Sequence, residues 1–391
     1  MGIYLNPNYD SFVDDFNNDI YVDKSMIIEK LNNLMDKSES KYICVTRPRR
    51  FGKTMATNLI SAFYSKGCDS RSLFSNLKIA QTPNWDKNLN KFNVIKIDVQ
   101  PLLTGIAPED LVHEINISVN EELMESFPNA KIQIDDYLNK SLLKVYTTTR
   151  EQFILIMDEY DILVRNQVSD KALELYLDFL NGLFKNSTLK PAIHLAYLTG
   201  IFPIVRDKNQ SKLNEVKEYS ITMPRELSGF IGFTETEVKD LCKQYNIDFS
   251  ECKKWYDGYK IGTEESIYNP CSVVEAITNK NFDYYWSYTG SYESIEDYIT
   301  LNFEGIKDDI ISMIAGKSVK VDVSLFLNTM TKFKSKDDVY TYLIHLGYLA
   351  YKKNEKGEGI CWIPNKETRT EWIKAITTLP DYSEIIKIIN E

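Results

Sequence analysis

Tyr42-Ile-Cys-Val-Thr46, followed by Arg47-Pro-Arg-Arg-Phe-Gly-Lys-Thr54 and the helical stretch from Met55 to Tyr64, is the part of this sequence that decides the fold. A short apolar run reads as a buried strand, and the loop after it ends in Gly-Lys-Thr where a helix begins. A phosphate needs convergent backbone N–H donors, a positive helix N-terminus and a cation, and strand, loop and helix in that order supply all three. On this reading Gly52 lets the backbone approach closely, Lys53 reaches the β- and γ-phosphate oxygens, and Thr54 places a hydroxyl on Mg²⁺. Arg49, Arg50, Phe51 and Met55 complete the nucleotide-binding segment. The pattern departs from G-x-x-x-x-G-K-[ST] at its first position, which is Arg47, and Pro48 removes a donor while biasing Arg47 towards an extended backbone.

The second support is Phe153-Ile-Leu-Ile-Met157 running into Asp158-Glu159, an apolar strand that delivers two carboxylates at its C-terminal end. Consecutive strand residues point to opposite faces, so the two do different work. Asp158 supports the magnesium shell and Glu159 orients and deprotonates water. A third strand, His194 to Thr199, ends in a hydroxyl before Gly200, which makes Thr199 a candidate γ-phosphate sensor or simply a strand-ending threonine. Arg49 and Arg50 either add positive charge in place of missing glycine amides or face outward to a partner. Arg206 and Arg225 follow the third strand and are candidates for an arginine finger or sensor, although most such arginines make surface ion pairs. A second triplet, Gly316-Lys317-Ser318, follows an apolar helical run instead of a strand, so Gly316 reads as a helix stop.

Apolar runs at 42–46, 94–99, 153–157 and 193–199 alternate with helical patterns, among them Leu111, Ile115, Val119 and Leu123, then Leu173, Leu177, Leu180 and Phe184. Strands apolar on both faces and separated by helices imply an α/β fold with a mostly parallel sheet covered on both sides. The expected organisation is an N-terminal arm and helix over 1–40, a P-loop core over 41–228, a helical lid over 229–318 and a winged-helix-like region over 319–391. Thr234-Glu-Thr-Glu237 predicts a capping box, Asn269-Pro270 a second helix start, and Gly347 the end of a helix running from Asp337. Trp255-Tyr-Asp-Gly-Tyr259 reads as packing at a joint before it reads as a base-stacking platform.

Composition narrows the partners. The 391 residues, 43% hydrophobic and 26% charged, have a globular balance, and the net charge of −10 argues against a polyanion held by the whole surface. Nucleic-acid contact would therefore have to be local, and a protein partner or a homo-oligomer is equally compatible with this surface. Six cysteines form no C-x-x-C pair, and three histidines show no zinc-ligand spacing, so the thiols read as idle in a reducing compartment. With no leader-like start and no long apolar run, no membrane contact is expected and the expected location is cytoplasmic.

Taken together, Val22-Asp-Lys-Ser25, the Arg47 to Thr54 loop, Ile156-Met-Asp-Glu-Tyr-Asp161, Leu198-Thr-Gly-Ile201, Trp255-Tyr-Asp-Gly-Tyr259, Tyr268-Asn-Pro270, and Leu346-Gly-Tyr-Leu349 with Pro364-Asn365 resemble the predicted AAA-ATPase-like family. The resemblance runs from about residue 10 to 370 and implies an ASCE-type P-loop core. It further implies ATP binding by Lys53 and Thr54, with Asp158 and Glu159 as the second acidic motif. It makes the arginine at the first glycine position a family trait. Relatives often carry a PD-(D/E)XK nuclease-like domain after Pro-Asn; only twenty-six residues follow Asn365, so no nuclease activity is expected of the sequence as given. The expected activity is Mg²⁺-dependent ATP hydrolysis in a molecular switch. The alternatives are a degenerate P-loop module that binds protein or nucleic acid with little turnover, and a phosphotransferase to a small acceptor.

Overall fold

The computed structural model describes all residues except 1, 204–205, 208–209, 212, 287–294, 302, 327–332, 378 and 380–391. The chain divides into two compact units, Met1–Thr46 with Lys53–Tyr219, and Arg47–Gly52 with Ser220–Phe326 and Lys332–Glu391. The loop between the first strand and its helix thus counts with the second unit.

The first unit is built on β1 (Tyr42–Thr46), β2 (Asn93–Asp98), β3 (Phe153–Asp158), β4 (Ile193–Gly200), the short β5 (Arg206–Asp207) and β6 (Gln210–Ser211), and β7 (Lys217–Tyr219). Five of them form one sheet in the order β2-β3-β4-β1-β7, with every adjacent pair parallel. β4 is inserted between the strand that precedes the phosphate-type loop and the strand that ends in Asp158, which is the additional-strand arrangement that the family resemblance implies. β1 and β3 are buried along their whole length. Alternation disappears when both faces are covered, which is why these strands read as unbroken apolar runs. The helices Lys53–Tyr64, Leu111–Ser126, Leu138–Thr149 and Asp170–Phe184 lie in the connections between strands. Ser169 caps the last of these helices, its hydroxyl accepting the Ala172 amide at 3.2 Å.

The N-terminal arm closes the edge of this sheet. Leu5 bridges Ile95 on β2, and Glu122 accepts the amides of Ile3, Tyr4 and Leu5. An exposed edge strand invites unwanted pairing, and the arm removes that opportunity.

In the second unit the Thr234 capping box opens the helix Glu235–Tyr245, and Asn269 caps Pro270–Asn279. Between these helices stands a sheet that the sequence does not announce: β8 (Phe233–Thr234), β9 (Tyr259–Ile261) and β10 (Glu264–Tyr268), in the antiparallel order β8-β10-β9. Its strands are too short for a period-two pattern to rise above the helical texture around them. Further on come a helix (Ile306–Ile314), β11 (Val319–Lys320), a helix (Lys336–Leu346) and the hairpin β12 (Ala350–Lys353) and β13 (Gly359–Trp362), sheeted as β11-β13-β12. Gly347 ends the helix at φ +94°, and Gly316 follows the helix Ile306–Ile314 at φ +82°, a helix stop as expected.

The Trp-Tyr-Asp-Gly-Tyr segment is internal packing. Tyr259 donates its hydroxyl to the Gly347 carbonyl at 2.6 Å, and a Cβ on Gly258 would stand 2.0 Å from the Pro364 carbonyl oxygen. The motif around Gly258 and the Pro364-Asn365 motif, far apart in sequence, are thus two sides of one contact.

Glu367 lies 2% exposed beneath the same region, accepting from the Ser272 hydroxyl at 2.9 Å and the Trp286 amide at 2.8 Å. Burial, with Glu371 adding, pushes its carboxyl up to about 7. A carboxyl that holds its proton more tightly when folded contributes full stability below its unfolded pKa, and loses that contribution as pH rises towards the folded value. The Glu367→Gln variant, which keeps the shape without the titration, should therefore gain on the parent by several degrees of thermal midpoint between about pH 5 and about pH 8. A difference that stays constant across that range would show that Glu367 does not titrate there.

Candidate functional site

Strand register brings Asp158 to one edge beside a second carboxylate, Asp98, that was not singled out from the sequence. Asp98 on β2 is opposite Asp158 on β3, Met157 is opposite Leu198, and Val45 is opposite Thr199. The C-terminal ends of four adjacent parallel strands thus meet where the helix Lys53–Tyr64 begins, the usual ligand position in an open α/β sheet.

Within the first unit Lys53, Thr54, Asp158 and Glu159 are drawn together. The Thr54 hydroxyl donates to the Asp158 carboxylate, and Asp158 is only 1% exposed. Burial pushes the Asp158 carboxyl up to about 6, with Glu159 and Asp98 adding to the rise and the Thr54 bond and Lys53 opposing it. Lys53 is 5% exposed, and burial lowers its pKa against the pull of Glu159, Asp158 and Asp161. A buried ammonium beside three carboxylates, with a hydroxyl locked onto one of them, is a charge arrangement that a phosphate and a hard divalent cation would complete.

Glu159 sits in the left-handed region at φ +52°, a conformation that costs a non-glycine residue about 1 kcal/mol and concentrates at functional turns. Its carboxylate is held by Arg165, which also lies 3.4 Å from Asp161. Asp161 in turn accepts the amides of Ile201 at 3.0 Å and Phe202 at 2.7 Å. A Cβ on Gly200 would fall 2.3 Å from the Asp161 carboxylate, so the Asp-Glu-Tyr-Asp turn and the Thr199-Gly200 strand end are fitted to one another. Arg165 and Asp161 were not singled out from the sequence. The spacing from Glu159 to Arg165 was the available signal, but it has meaning only once the short helix Ile162–Arg165 folds back.

The loop alternates its backbone handedness although it holds a single glycine. Arg50 has φ +67° and Gly52 φ +88°, while Phe51 between them is not in the positive-φ region and Lys53 begins the helix. Alternation of left- and right-handed backbone is the pattern of an anion-binding nest, so Arg50 adopts here the conformation a glycine would take. Arg50 is exposed and Arg49 half-buried, whereas Arg47 is 1% exposed. The ring of Phe51 packs edge-on against Tyr259 at 5.3 Å, and its carbonyl accepts the Gly232 amide at 3.0 Å. That side chain is a packing anchor of the second unit. Met55 is half-buried on the first turn of the helix.

Three candidates remain, Thr199, Arg206 and Arg225. Thr199 is fully buried and donates its hydroxyl to the Val45 carbonyl at 2.8 Å, inside the sheet. Arg206 is on β5, and its side chain lies outside the described residues. Arg225 is exposed in the second unit, where its carbonyl accepts from the Ser228 hydroxyl at 2.6 Å. Among the described residues no group of three or more His, Cys, Asp or Glu side chains could hold a metal ion unaided. No helix among the described residues is long and apolar enough to cross a membrane.

The model of a family described as predicted AAA-ATPase matches residues 8–208. An uncharacterised protein from the vnfD 5′ region of Azotobacter chroococcum mcd 1 is 23% identical over 288 residues, covering 72% of this chain and 52% of that protein. This chain therefore spans about half the length of that curated relative. Two solved structures of Aeropyrum pernix are each 10% identical: ORC1 in complex with DNA, covering 98% of this chain and 99% of that one with a TM-score of 0.35, and ORC2 with ADPNP and ADP, covering 92% and 97% with a TM-score of 0.39. Drosophila ORC bound to DNA is 11% identical, covering 94% and 91%, with a TM-score of 0.31. At such scores the P-loop fold rests on the strand order and the loop described above.

Proposed function

The chain belongs to the predicted AAA-ATPase family, and on that premise we propose that it binds Mg·ATP on the segment from Arg49 to Met55 and hydrolyses it as a molecular switch. The observation that carries this reading is the Thr54 hydroxyl bonded to buried Asp158, with the Lys53 ammonium beside them. Lys53 binds the β- and γ-phosphates, Thr54 and Asp158 hold the metal shell, and Glu159 takes the proton of the attacking water. Mg²⁺ would supply neutralisation of the phosphate charge. Thr199 is the proposed γ-phosphate sensor, a role that requires its hydroxyl to leave the Val45 carbonyl. Arg206 and Arg225 are the proposed finger or sensor arginines, acting within this chain or on a neighbouring copy. The lid (229–318) and the winged-helix-like region (319–391) are proposed to report the nucleotide state to a protein partner. Titration calorimetry of the intact chain with Mg·ATP and Mg·GTP tests the reading. Heat of association is expected, and its absence for both would leave only the degenerate-module alternative, in which the buried Arg47 takes the place of the first glycine without a bound nucleotide.

Arg165 enters this scheme as a positioning residue. Its guanidinium fixes the Glu159 carboxylate on a strained turn and links it to Asp161. The Arg165→Met variant should lose roughly ten- to a hundredfold in kcat while its nucleotide Kd stays within a few-fold, and Arg165→Lys should restore part of the rate. Equal losses in kcat and affinity would assign Arg165 to general folding of the site instead.

A further inference from the structure

We propose that the second unit carries a binding site for a nucleic-acid backbone in the groove lined by β9 and β12. The groove encloses about 520 Å³, and Arg225, Lys260, Lys352 and Lys353 line it against a single carboxylate, Glu265. Four cations facing one anion leave three positive charges in surplus on a chain whose formal charge is −10. Such a local field draws a polyanion to one place while the remaining surface repels it.

The chemistry of the lining favours phosphates over other anions. The cations come from three separated stretches of sequence, and Arg225, Lys352 and Lys353 are exposed, so the groove presents them along its length instead of at one point. Lys260 pairs with Glu265, which is 79% exposed at its side chain and readily displaced. The turn of the β12–β13 hairpin beyond the groove carries Lys356 between Glu355 and Glu358, so the surplus positive charge is confined to the groove lining. A groove meant for a small anion would instead converge buried donors on one point. An extended peptide is poorly served too. β9 and β12 are edge strands of their own sheets but pack against each other, so neither offers a free ladder for an added strand. The only large exposed apolar side chain in the lining is Met223, too little for an anchoring pocket. What remains is contact with successive phosphates, independent of base sequence.

The test is fluorescence anisotropy of the intact chain with a labelled DNA duplex of about twenty base pairs and with one of its strands, in the absence of nucleotide and across a salt series. Three to four phosphates neutralised predict a slope of log K against log salt of about −3 for duplex. The Lys352→Ala/Lys353→Ala pair should weaken binding at least about tenfold and reduce the slope by about two. Lys243→Ala/Lys317→Ala, an equal loss of charge outside the groove, should change neither. Both Lys352 and Lys353 are exposed, so their removal should leave the thermal midpoint in place. Absence of DNA binding at low salt, an unaltered slope in the groove variant, or tighter binding of a polyglutamate peptide than of DNA would each overturn the proposal. Because no nucleotide is added, failure here would leave the ATP-binding reading standing, and loss of ATP binding would leave this site intact.

Discussion

Replacing Lys53 with alanine is expected to abolish measurable association of Mg·ATP. Lys53 is buried, and Asp158, Glu159 and Asp161 all act on its ammonium. A triphosphate arriving there meets three carboxylates, and Lys53 is the cation from the loop that offsets them. Removing it deletes a charge-assisted bond to phosphate and leaves Arg165, which is already committed to Glu159 and Asp161. The combined loss should exceed about 3 kcal/mol, more than a hundredfold in Kd. Calorimetry on the variant should show no saturable heat at ligand concentrations that saturate the parent, with an unchanged far-ultraviolet circular dichroism spectrum. Parental affinity in the variant would remove Lys53 from the phosphate site and with it the proposed role of the loop.

The Glu159→Gln variant should behave in the opposite way, keeping nucleotide affinity within a few-fold while hydrolysis drops by about 10²- to 10⁴-fold. The geometry distinguishes Glu159 from its neighbour. Asp158 ends the strand, is buried and already accepts the Thr54 hydroxyl, which suits it to the metal shell. Glu159 begins the turn, in a left-handed conformation, with its side chain 19% exposed and oriented by Arg165. An accessible, fixed carboxylate is what a general base requires, and the amide of glutamine retains the shape without the basicity. Phosphate release measured alongside equilibrium binding separates the two effects. Hydrolysis at the parental rate would move the base elsewhere, and Asp98, aligned with Asp158 on β2, would be the next residue to replace.

Much of this site is legible in the sequence. The strand before the loop, Gly52-Lys53-Thr54 and the strand ending in Asp158-Glu159 are contiguous patterns, and in the structure Lys53, Thr54 and Glu159 all act on Asp158. Arg165 and Asp161 escaped because their partners lie across a turn and on a different strand. Thr199 was correctly placed at the end of β4, but no residue pattern announces that its hydroxyl spans to the Val45 carbonyl. Phe51 looked like part of the phosphate loop and is also an anchor against Tyr259, a contact between segments some two hundred residues apart. The sheet of β8, β9 and β10 stayed hidden for a related reason, since strands of two, three and five residues owe their existence to pairing more than to propensity.

Sequence alone determined the features that depend on neighbours along the chain. These are the buried parallel strands read from unbroken apolar runs, the caps at Thr234 and Asn269, and the order of strand, loop and helix around Lys53. Tertiary structure decided what depends on distance through space. It inserted β4 between β1 and β3, turned Arg50 into a glycine-like backbone position, and set Arg165 on Glu159. The physical reason is that hydrogen-bond caps and hydrophobic periodicity are satisfied within a few residues, whereas strand order, backbone strain and ion pairing are settled only when distant segments compete for the same space.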